Sequence, residues 1–131
     1  MLEITIITIG KRLASPFEEL GREYTKRLGE KPRLIWNWHK DEKGLFEAAK
    51  KHPHPIFLEE RGKLMDSKSF AKELEVLGRV AFVIGPAEGF SQEVKGWSLS
   101  PLTFPHQLAI CLLLEQIYRA KTIIEGHPYH K

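Results

Sequence analysis

The segment Arg79-Val80-Ala81-Phe82-Val83-Ile84-Gly85 is the clearest guide to the fold of this 131-residue chain. After Arg79 it is continuously apolar up to a glycine, which is typical of a strand buried on both faces of a sheet. The loop up to Gly89 then leaves the carboxyl end of that strand. Open parallel sheets bind ligands at such loops, so the segment predicts both a central strand and a binding site.

The chain before this segment alternates between predicted strands and predicted helices. The strands are expected at residues 2–9, 33–39 and 56–59, and the helices at residues 15–28, 43–51 and 66–77. Alternation of this kind places the strands in parallel and the helices on both faces of the sheet. The pattern therefore predicts an α/β fold, built as one domain over residues 1–131.

The first helix carries clear start and stop signals. Ser15 is predicted to cap it, with Pro16 at the first helical position and Glu18 completing a capping box. Gly29 is predicted to end it. Its apolar stripe contains Phe17, Leu20, Tyr24 and Leu28.

The later segments contain two loops and one long helix. Residues 60–63 are predicted to form a loop after the third strand, and Asp66 or Ser67 to cap the next helix. A short strand at Trp97-Ser98 runs into a second loop that contains Pro101 and Pro105. The longest helix then spans residues 107–124 and is apolar around much of its circumference. Gly78 and Gly126 are predicted to end the last two helices.

Composition excludes several classes of protein. The chain is 42% hydrophobic and 28% charged with a net charge of +3, so it is an ordinary globular domain with a mild basic bias that permits a polyanionic partner. The single Cys111 lies in an apolar run and predicts a buried thiol without a disulfide framework. The apolar runs are shorter than the ~20 residues that cross a bilayer, and no secretory signal precedes them. We expect a cytoplasmic protein without a membrane partner.

Short motifs for metal, nucleotide or RNA binding are weak. His52-Pro53-His54 has no further ligand at a suitable spacing, so we interpret it as a connector and expect no metal site. The loop after Ile84 lacks the glycine spacing of a dinucleotide site and the lysine of a P-loop. Lys11 and Arg12 fit a solvated loop better than a phosphate contact. Trp36 and Trp38 share one face of their strand and indicate packing more than RNA stacking.

Four motifs in the last fifty residues carry a family resemblance. They are Ile84-Gly85 with Glu88-Gly89-Phe90-Ser91, residues 97–108, Glu115-Gln116-Ile117-Tyr118-Arg119-Ala120, and His127-Pro128-Tyr129-His130. In order and spacing they resemble the ribosomal large-subunit pseudouridine N3-methyltransferase family (RlmH) of the SPOUT superfamily. The resemblance implies a parallel-sheet SPOUT fold whose C-terminal segment forms a deep trefoil knot, and a homodimer.

The resemblance also implies a cofactor, S-adenosyl-L-methionine, and a substrate. It implies methylation of N3 of a pseudouridine in 23S ribosomal RNA. The modest basic charge favours the assembled ribosome over free RNA as the substrate, and we expect no DNA partner. The cofactor contacts that it implies are Leu58, Gly85, Leu99, Ser100, Pro101, Leu102, Thr103 and Phe104. Gly85 would let the backbone approach the ligand closely, whereas Pro86, where the family commonly has a second glycine, offers no N–H.

The chemistry requires that N3 lose a proton, since it belongs to a weakly acidic imide. Candidate bases and orienting groups are Arg119, His127, Tyr129 and His130, with Arg119 also suited to a phosphate. His106 is expected to be a structural or capping group. Two alternatives remain open: a methyltransferase of the same fold that acts on tRNA, and a ribosome-associated nucleotide-binding module without catalysis.

Overall fold

The structure is a computed structural model and describes residues 2–131. In chain order the elements are β1 (Glu3–Ile9), α1 (Phe17–Leu28), β2 (Arg33–His39), α2 (Glu42–Lys50), β3 (Pro55–Leu64), α3 (Ser67–Leu77), β4 (Arg79–Ile84), β5 (Gly96–Ser98) and α4 (His106–Glu125). The predicted alternation is confirmed. None of the helices formed by these residues combines the length and apolar character that crossing a bilayer requires.

The strands form one parallel sheet in the order β2-β1-β4-β3-β5. β1 and β4 occupy interior positions, and residues 80–84 of β4 are buried, as expected of its continuous apolar run. The prediction that the segment before Gly85 forms a central strand is confirmed. Because all strands are parallel, the loops after β3, β4 and β5 meet at one edge of the sheet.

Helices cover both faces of the sheet. On one face α4 packs against both α1 and α3, and its Ile110, Leu113 and Ile117 are fully buried in the larger core. On the other face Leu45 of α2 packs against Ile7 in a smaller core, to which Phe90 also packs. The long final helix is therefore a central part of the fold, and Cys111 on it is buried, as predicted.

The helix ends test the predicted caps. The Asp66 carboxylate accepts a hydrogen bond from the Ser69 N–H at 2.8 Å, and Gly29, Gly78 and Gly126 follow α1, α3 and α4 with positive φ. These predictions are confirmed. Gly126 has a left-handed conformation that glycine adopts at low cost, which ends α4.

The predicted capping box of α1 is wrong. Pro16 itself occupies the cap position, and no side chain caps the helix. The helix therefore begins too late for Ser15 to cap it, and the Glu18 carboxylate pairs with Arg22 instead. Leu20 of the predicted apolar stripe is 42% exposed.

The predicted loop at residues 60–63 is also wrong, because β3 continues to Leu64. The second half of β3 pairs with β5 after a register shift between Leu58 and Lys63. Two glycines permit this close pairing: a Cβ at Gly96 would overlap the carbonyl oxygen of Phe57, and one at Gly62 would lie 2.6 Å from the Gly96 carbonyl oxygen. The partner strand comes much later in the chain, so local sequence does not reveal it.

The two tryptophans of β2 pack as interpreted. Their rings stack with centroids 5.5 Å apart at an interplanar angle of 7°, and both side chains are partly buried against the larger core. The packing interpretation of Trp36 and Trp38 is confirmed.

Candidate functional site

A cavity of about 730 Å³ lies at the carboxyl ends of β4 and β5, beside the middle of β3. Its walls are residues 58–61, the loop at residues 84–94, the segment at residues 99–104, and His106 and Ala109 of α4. This volume falls within the range of small-molecule sites. The loop after β4 and the loop after β5 thus meet at one cavity, which is the location that the sequence predicts.

Most of the predicted cofactor residues line this cavity. They are Leu58, Gly85, Leu99, Ser100, Leu102, Thr103 and Phe104. Pro101 belongs to the same segment but is not among the lining residues. Leu102 is 68% exposed, so it stands at the solvent side of the cavity and not in the core.

Hydrogen bonds to β3 hold the segment at residues 99–104. The Ser98 hydroxyl oxygen lies 2.9 Å from the carbonyl oxygens of both Glu60 and Ser100. The Thr103 hydroxyl donates to the Glu60 carboxylate at 2.6 Å, and the Leu102 N–H donates to the Ser100 hydroxyl oxygen at 3.0 Å. The stretch of β3 that the sequence presents as a loop is therefore one rigid wall of the site.

The glycine loop after β4 is shaped by a turn and by an aromatic ring. The Gly89 N–H donates to the Pro86 carbonyl at 2.8 Å, with Gly89 at φ +88°. The Phe90 ring packs edge-on against Phe57 with centroids 5.5 Å apart. A Cβ at Gly85 would lie 2.9 Å from this ring. The structure therefore adds a packing requirement for glycine at position 85 that the sequence does not reveal.

The loop at residues 84–94 is also hydrogen-bonded to α2. Both the N–H and the hydroxyl of Ser91 donate to the Glu42 carboxylate, at 3.1 Å and 2.6 Å.

Four glutamates and a single arginine line the cavity: Glu59, Glu60, Glu88, Glu93 and Arg61. The sequence does not predict these residues as a group. Glu88 lies within one of the four motifs, whereas residues 59–61 lie at the end of the third predicted strand and in the loop predicted after it. The net charge of the group favours a cationic ligand.

His106 also lines the cavity and does not cap α4 by its side chain. Its Nε2 lies 2.8 Å from the Thr8 hydroxyl oxygen, and that hydroxyl donates to the Ile84 carbonyl at 2.9 Å. Burial lowers the pKa of His106, so the ring is neutral at neutral pH. The expectation that His106 makes a structural contact is confirmed by its bond to Thr8. The alternative expectation, that its side chain caps α4, is wrong.

A second cluster, which we call the tail cluster, lies on the later part of α4. It contains Glu115, Tyr118, Arg119, Tyr129 and His130. Arg119 Nη2 and the Tyr129 hydroxyl each donate to Glu115 Oε2 at 2.8 Å, and Arg119 Nη1 lies 3.0 Å from His130 Nδ1. The Tyr129 ring packs edge-on against the Tyr118 ring, with the ring centroids 4.8 Å apart. Three of the predicted catalytic residues therefore meet here.

The fourth candidate lies apart. His127 is exposed, and its backbone N–H donates to the Thr122 carbonyl.

Within the tail cluster, a guanidinium can only donate, so His130 Nδ1 must accept from Arg119 and carry no proton. The hydrogen bond to the nearby carboxylate raises the pKa of Tyr129 to about 12. Tyr129 is thus a hydrogen-bond donor at neutral pH and not a base.

The tail cluster does not line the cavity within one chain. The cavity reaches α4 as far as Ala109, whereas Glu115 and Arg119 follow six and ten residues later. At 1.5 Å per residue these positions are about 9 Å and 15 Å farther along the helix axis. The cavity and the candidate catalytic groups are thus separated along α4.

Comparison with known families defines the class of protein. The sequence model described as "Predicted SPOUT methyltransferase" matches residues 2–130. This match, together with the parallel sheet and the cavity at its carboxyl edge, identifies a methyltransferase of the SPOUT superfamily.

Curated relatives narrow the class. Proteins named ribosomal RNA large subunit methyltransferase H are 40% identical in Synechococcus sp. (strain CC9311), covering 96% of this chain and 94% of the relative, and 39% identical in Protochlamydia amoebophila (strain UWE25), covering 100% of both. The namesake of Xylella fastidiosa (strain 9a5c) is 35% identical over 100% of this chain and 99% of its own. The chain belongs to the ribosomal RNA large subunit methyltransferase H family.

Proposed function

We propose that the protein transfers the methyl group of S-adenosylmethionine to N3 of a pseudouridine in 23S ribosomal RNA. The observation that carries the proposal is the cavity between the middle of β3 and the carboxyl ends of β4 and β5, because residues assigned to the methyl donor by the resemblance line it. Family membership over nearly the whole chain supports the reaction, and the names of the relatives support the substrate.

The residues of the cavity fit such a donor. S-adenosylmethionine carries a sulfonium and an ammonium group, which the glutamates around the cavity complement. Leu58, Leu99 and Phe104 offer apolar surface for an adenine ring. Pro86 has no N–H, so the loop can offer a ligand only its other amides. When bound, the donor supplies an already activated methyl group, and the protein has to align it with the attacking nitrogen.

The tail cluster suits the RNA side of the reaction. Arg119 stays charged, since the hydrogen bond with Glu115 raises the pKa of Arg119, and it can pair with a phosphate. The Tyr129 hydroxyl, whose proton bonds to Glu115, can still accept a hydrogen bond from an N–H of the target base. We propose that these two residues orient the nucleotide. We propose that the imide proton is accepted by His127, or by His130 after Arg119 has turned from His130 Nδ1 to a phosphate of the RNA.

The separation along α4 supports a site assembled from two copies of the chain. Leu108 and Leu112 on α4 are only partly buried, and Leu20 of α1 is 42% exposed, which leaves apolar surface on the helical face. We propose that a second copy covers this surface. The tail cluster of one protomer would then complete the cavity of its partner.

Complementation between two inactive variants tests this arrangement. One variant carries Gly85→Val in the cavity, and the other lacks residues 127–131. If each site uses both protomers, the mixed dimer contains one intact site, and coexpression restores methyl transfer that neither variant has alone. Light scattering that shows a monomer at micromolar concentration, or coexpression without recovery, contradicts the proposal.

The deep trefoil knot of the superfamily is part of the proposal as well. The segment at residues 99–104 is bonded to β3 on one side and shares the cavity with the loop at residues 84–94 on the other. In the proposed knot, the C-terminal segment passes between these two walls.

The assembled ribosome is the proposed substrate. A net charge of +3 provides few phosphate contacts for free RNA, so shape and protein contacts on a particle have to contribute to binding. This substrate also places the protein in the cytoplasm. Tritiated S-adenosylmethionine, offered with ribosomes, isolated large subunits, free 23S RNA or tRNA, tests the substrate directly. We expect label in 23S RNA of intact particles. Label only in tRNA, or binding without label, would favour the two alternatives given above.

A further inference from the structure

A chain of hydrogen bonds links three elements beneath the cavity. His106, the first residue of α4, contacts the Thr8 hydroxyl oxygen through Nε2 at 2.8 Å. Thr8 lies in β1 and is completely buried. Its hydroxyl bonds in turn to the carbonyl oxygen of Ile84, the last residue of β4, at 2.9 Å. The proposed methyltransferase function uses none of these contacts.

The direction of these bonds fixes the state of the imidazole ring. A carbonyl oxygen can only accept, so the single hydroxyl proton of Thr8 points to Ile84. The Thr8 oxygen must therefore accept from His106, which requires a proton on Nε2. In the neutral ring the lone pair then lies on Nδ1. Burial favours this neutral form, since it lowers the pKa of His106.

The Nδ1 atom of His106 is free to meet a ligand. Among the hydrogen bonds of residues 2–131, the ring of His106 takes part only in the one to Thr8. Within residues 2–131, the one buried side-chain nitrogen or oxygen atom without a hydrogen-bond partner is His39 Nε2. Nδ1 of His106 also has no partner but is not such a buried atom, so it is accessible. His106 lines the cavity, so its ring lies beside the place where the donor would bind.

We propose that His106 accepts, at Nδ1, a hydrogen bond from an N–H or O–H group of the methyl donor, and that Thr8 holds the ring in the tautomer this requires. The inference rests on the proposed function, because it assigns the cavity to S-adenosylmethionine. His106 is a binding residue in this role, and Thr8 is a positioning residue that acts through it. An uncharged acceptor at this place recognises amino or hydroxyl groups without attracting a further proton.

The tautomer can be measured in the protein without ligand. In ¹⁵N-labelled protein, two-bond correlations of the imidazole nitrogens are expected to show His106 protonated at Nε2. Thr8→Ser keeps a hydroxyl and should preserve that pattern. Thr8→Val removes the acceptor and should shift the ring towards a mixture of tautomers. A wild-type ring protonated at Nδ1, or a pattern unchanged in Thr8→Val, would overturn the positioning role.

A matched pair of substitutions tests the contact with the donor. The amide nitrogen of His106→Gln can replace Nε2 and bond to Thr8, but no acceptor remains at the place of Nδ1. The amide oxygen of His106→Asn can replace Nδ1, but it leaves Thr8 without its partner. We expect His106→Gln to bind S-adenosylmethionine about tenfold more weakly at a nearly unchanged melting temperature, since one hydrogen bond contributes up to ~1.5 kcal/mol.

His106→Asn should show the opposite combination: a lower melting temperature, with affinity within about threefold of the wild type. Calorimetric titrations with S-adenosylmethionine, S-adenosylhomocysteine and adenosine complete the experiment. A loss shared by all three places the contact on the nucleoside, and a loss absent for adenosine places it on the amino-acid part. If affinity instead follows melting temperature across the variants, His106 is only structural and the inference fails.

The failure of the inference is distinguishable from that of the proposed function. If the wild type binds none of the three probes, the proposed function fails, and the donor contact with it. If the wild type binds S-adenosylmethionine and His106→Gln binds it equally well, only the inference about His106 is overturned.

Discussion

The two ends of α4 are built from different kinds of residue. At its start, His106 and Ala109 close a cavity whose other walls are β3 and the loops after β4 and β5. Farther along, Glu115 and Arg119 carry charged and aromatic partners from the C-terminal tail, residues 127–131. The first end is shaped by backbone, glycine and apolar packing, and the second by side-chain hydrogen bonds near the surface.

This contrast separates two requirements of methyl transfer. A cavity whose walls are backbone and packed rings can bind a donor with little rearrangement. A cluster of side chains on a helix and a short tail can be positioned when the RNA arrives. Groups that act only in the transition state change turnover and not donor affinity. We therefore expect substitutions at the two ends of α4 to have different measurable effects.

Removal of the tail should have the largest effect. Deletion of residues 127–131 takes away Tyr129 and His130, yet touches no residue that lines the cavity. We expect methyl transfer to ribosomes to fall by a factor of ~10² to 10⁴, as for loss of acid–base and orienting groups. Affinity for S-adenosylmethionine, measured by calorimetry, should stay within about threefold of the parent value.

Deletion of Lys131 alone is the control for the tail. It shortens the chain without touching the contacts of Tyr129, so turnover should remain near the parent rate. If the chain without residues 127–131 still methylates ribosomes at that rate, the tail has no catalytic role and the contrast between the two ends disappears.

The close pairing of β3 with β5, beside the cavity, should be the most sensitive point for stability. A Cβ at Gly96 would overlap the carbonyl oxygen of Phe57, and backbone cannot move aside cheaply. We expect Gly96→Ala to lower the free energy of unfolding by about 3 kcal/mol, near the upper end for single substitutions. Urea unfolding measures the change.

Gly89→Ala provides the matched comparison. Gly89 has a positive φ of 88° but open space where its Cβ would lie. The same substitution should therefore cost only the backbone term, about 1 kcal/mol. Equal destabilisation of the two variants would contradict the view that β3 and β5 pair too closely for any side chain at position 96.

The sequence predicts the central elements because their signals are local. Residues 80–84 form a continuous apolar run, Asp66 precedes an amphipathic stripe, and Gly78 and Gly126 end their helices. Each of these features is determined by neighbouring residues. The location of the cavity also follows, since it requires only that consecutive strands be parallel.

Apart from the local capping box of α1, the errors concern contacts between distant segments. The extension of β3 depends on Gly62 and Gly96, which meet only in the folded sheet. The bond between Thr8 and His106 joins residues ninety-eight positions apart, so the ring state of His106 is not readable from its neighbours. The separation of the tail cluster from the cavity likewise depends on where the tail folds back on α4.

The glycine loop should be decisive for donor binding. Gly85→Val should remove measurable binding of S-adenosylmethionine, with the fold retained. The sequence suggests that the added side chain occupies the mouth of the site. The structure shows in addition that a Cβ would press on the Phe90 ring, 2.9 Å away, and so displace the loop that lines the cavity.

A double substitution distinguishes these two causes. Gly85→Ala should weaken binding through Phe90, and Gly85→Ala combined with Phe90→Leu should recover part of the affinity, because the smaller side chain makes room. Calorimetry on the three proteins gives the result. If Phe90→Leu provides no recovery, the added Cβ acts on the ligand directly.

Tyr129→Phe should have the smallest effect on catalysis. The Tyr129 hydroxyl donates to Glu115, and this bond raises the pKa of Tyr129 to about 12. At neutral pH the phenol is therefore protonated and cannot be the group that takes the N3 proton. Its loss removes one orienting hydrogen bond, which corresponds to a fall in turnover of about threefold to tenfold, much less than deletion of the tail.

The pH dependence of Tyr129 supplies an independent measurement. Because the folded-state pKa is raised above the ordinary value near 10, the contribution of this bond to stability is complete below pH ~10 and is lost as the pH rises through about 12. The difference in ultraviolet absorbance between wild type and Tyr129→Phe isolates this one phenol, and Glu115→Gln should lower its midpoint towards 10. A turnover loss in Tyr129→Phe as large as that of the deletion would show that the phenol itself performs the chemistry. The tail would then act through a group that the hydrogen bond to Glu115 must release first.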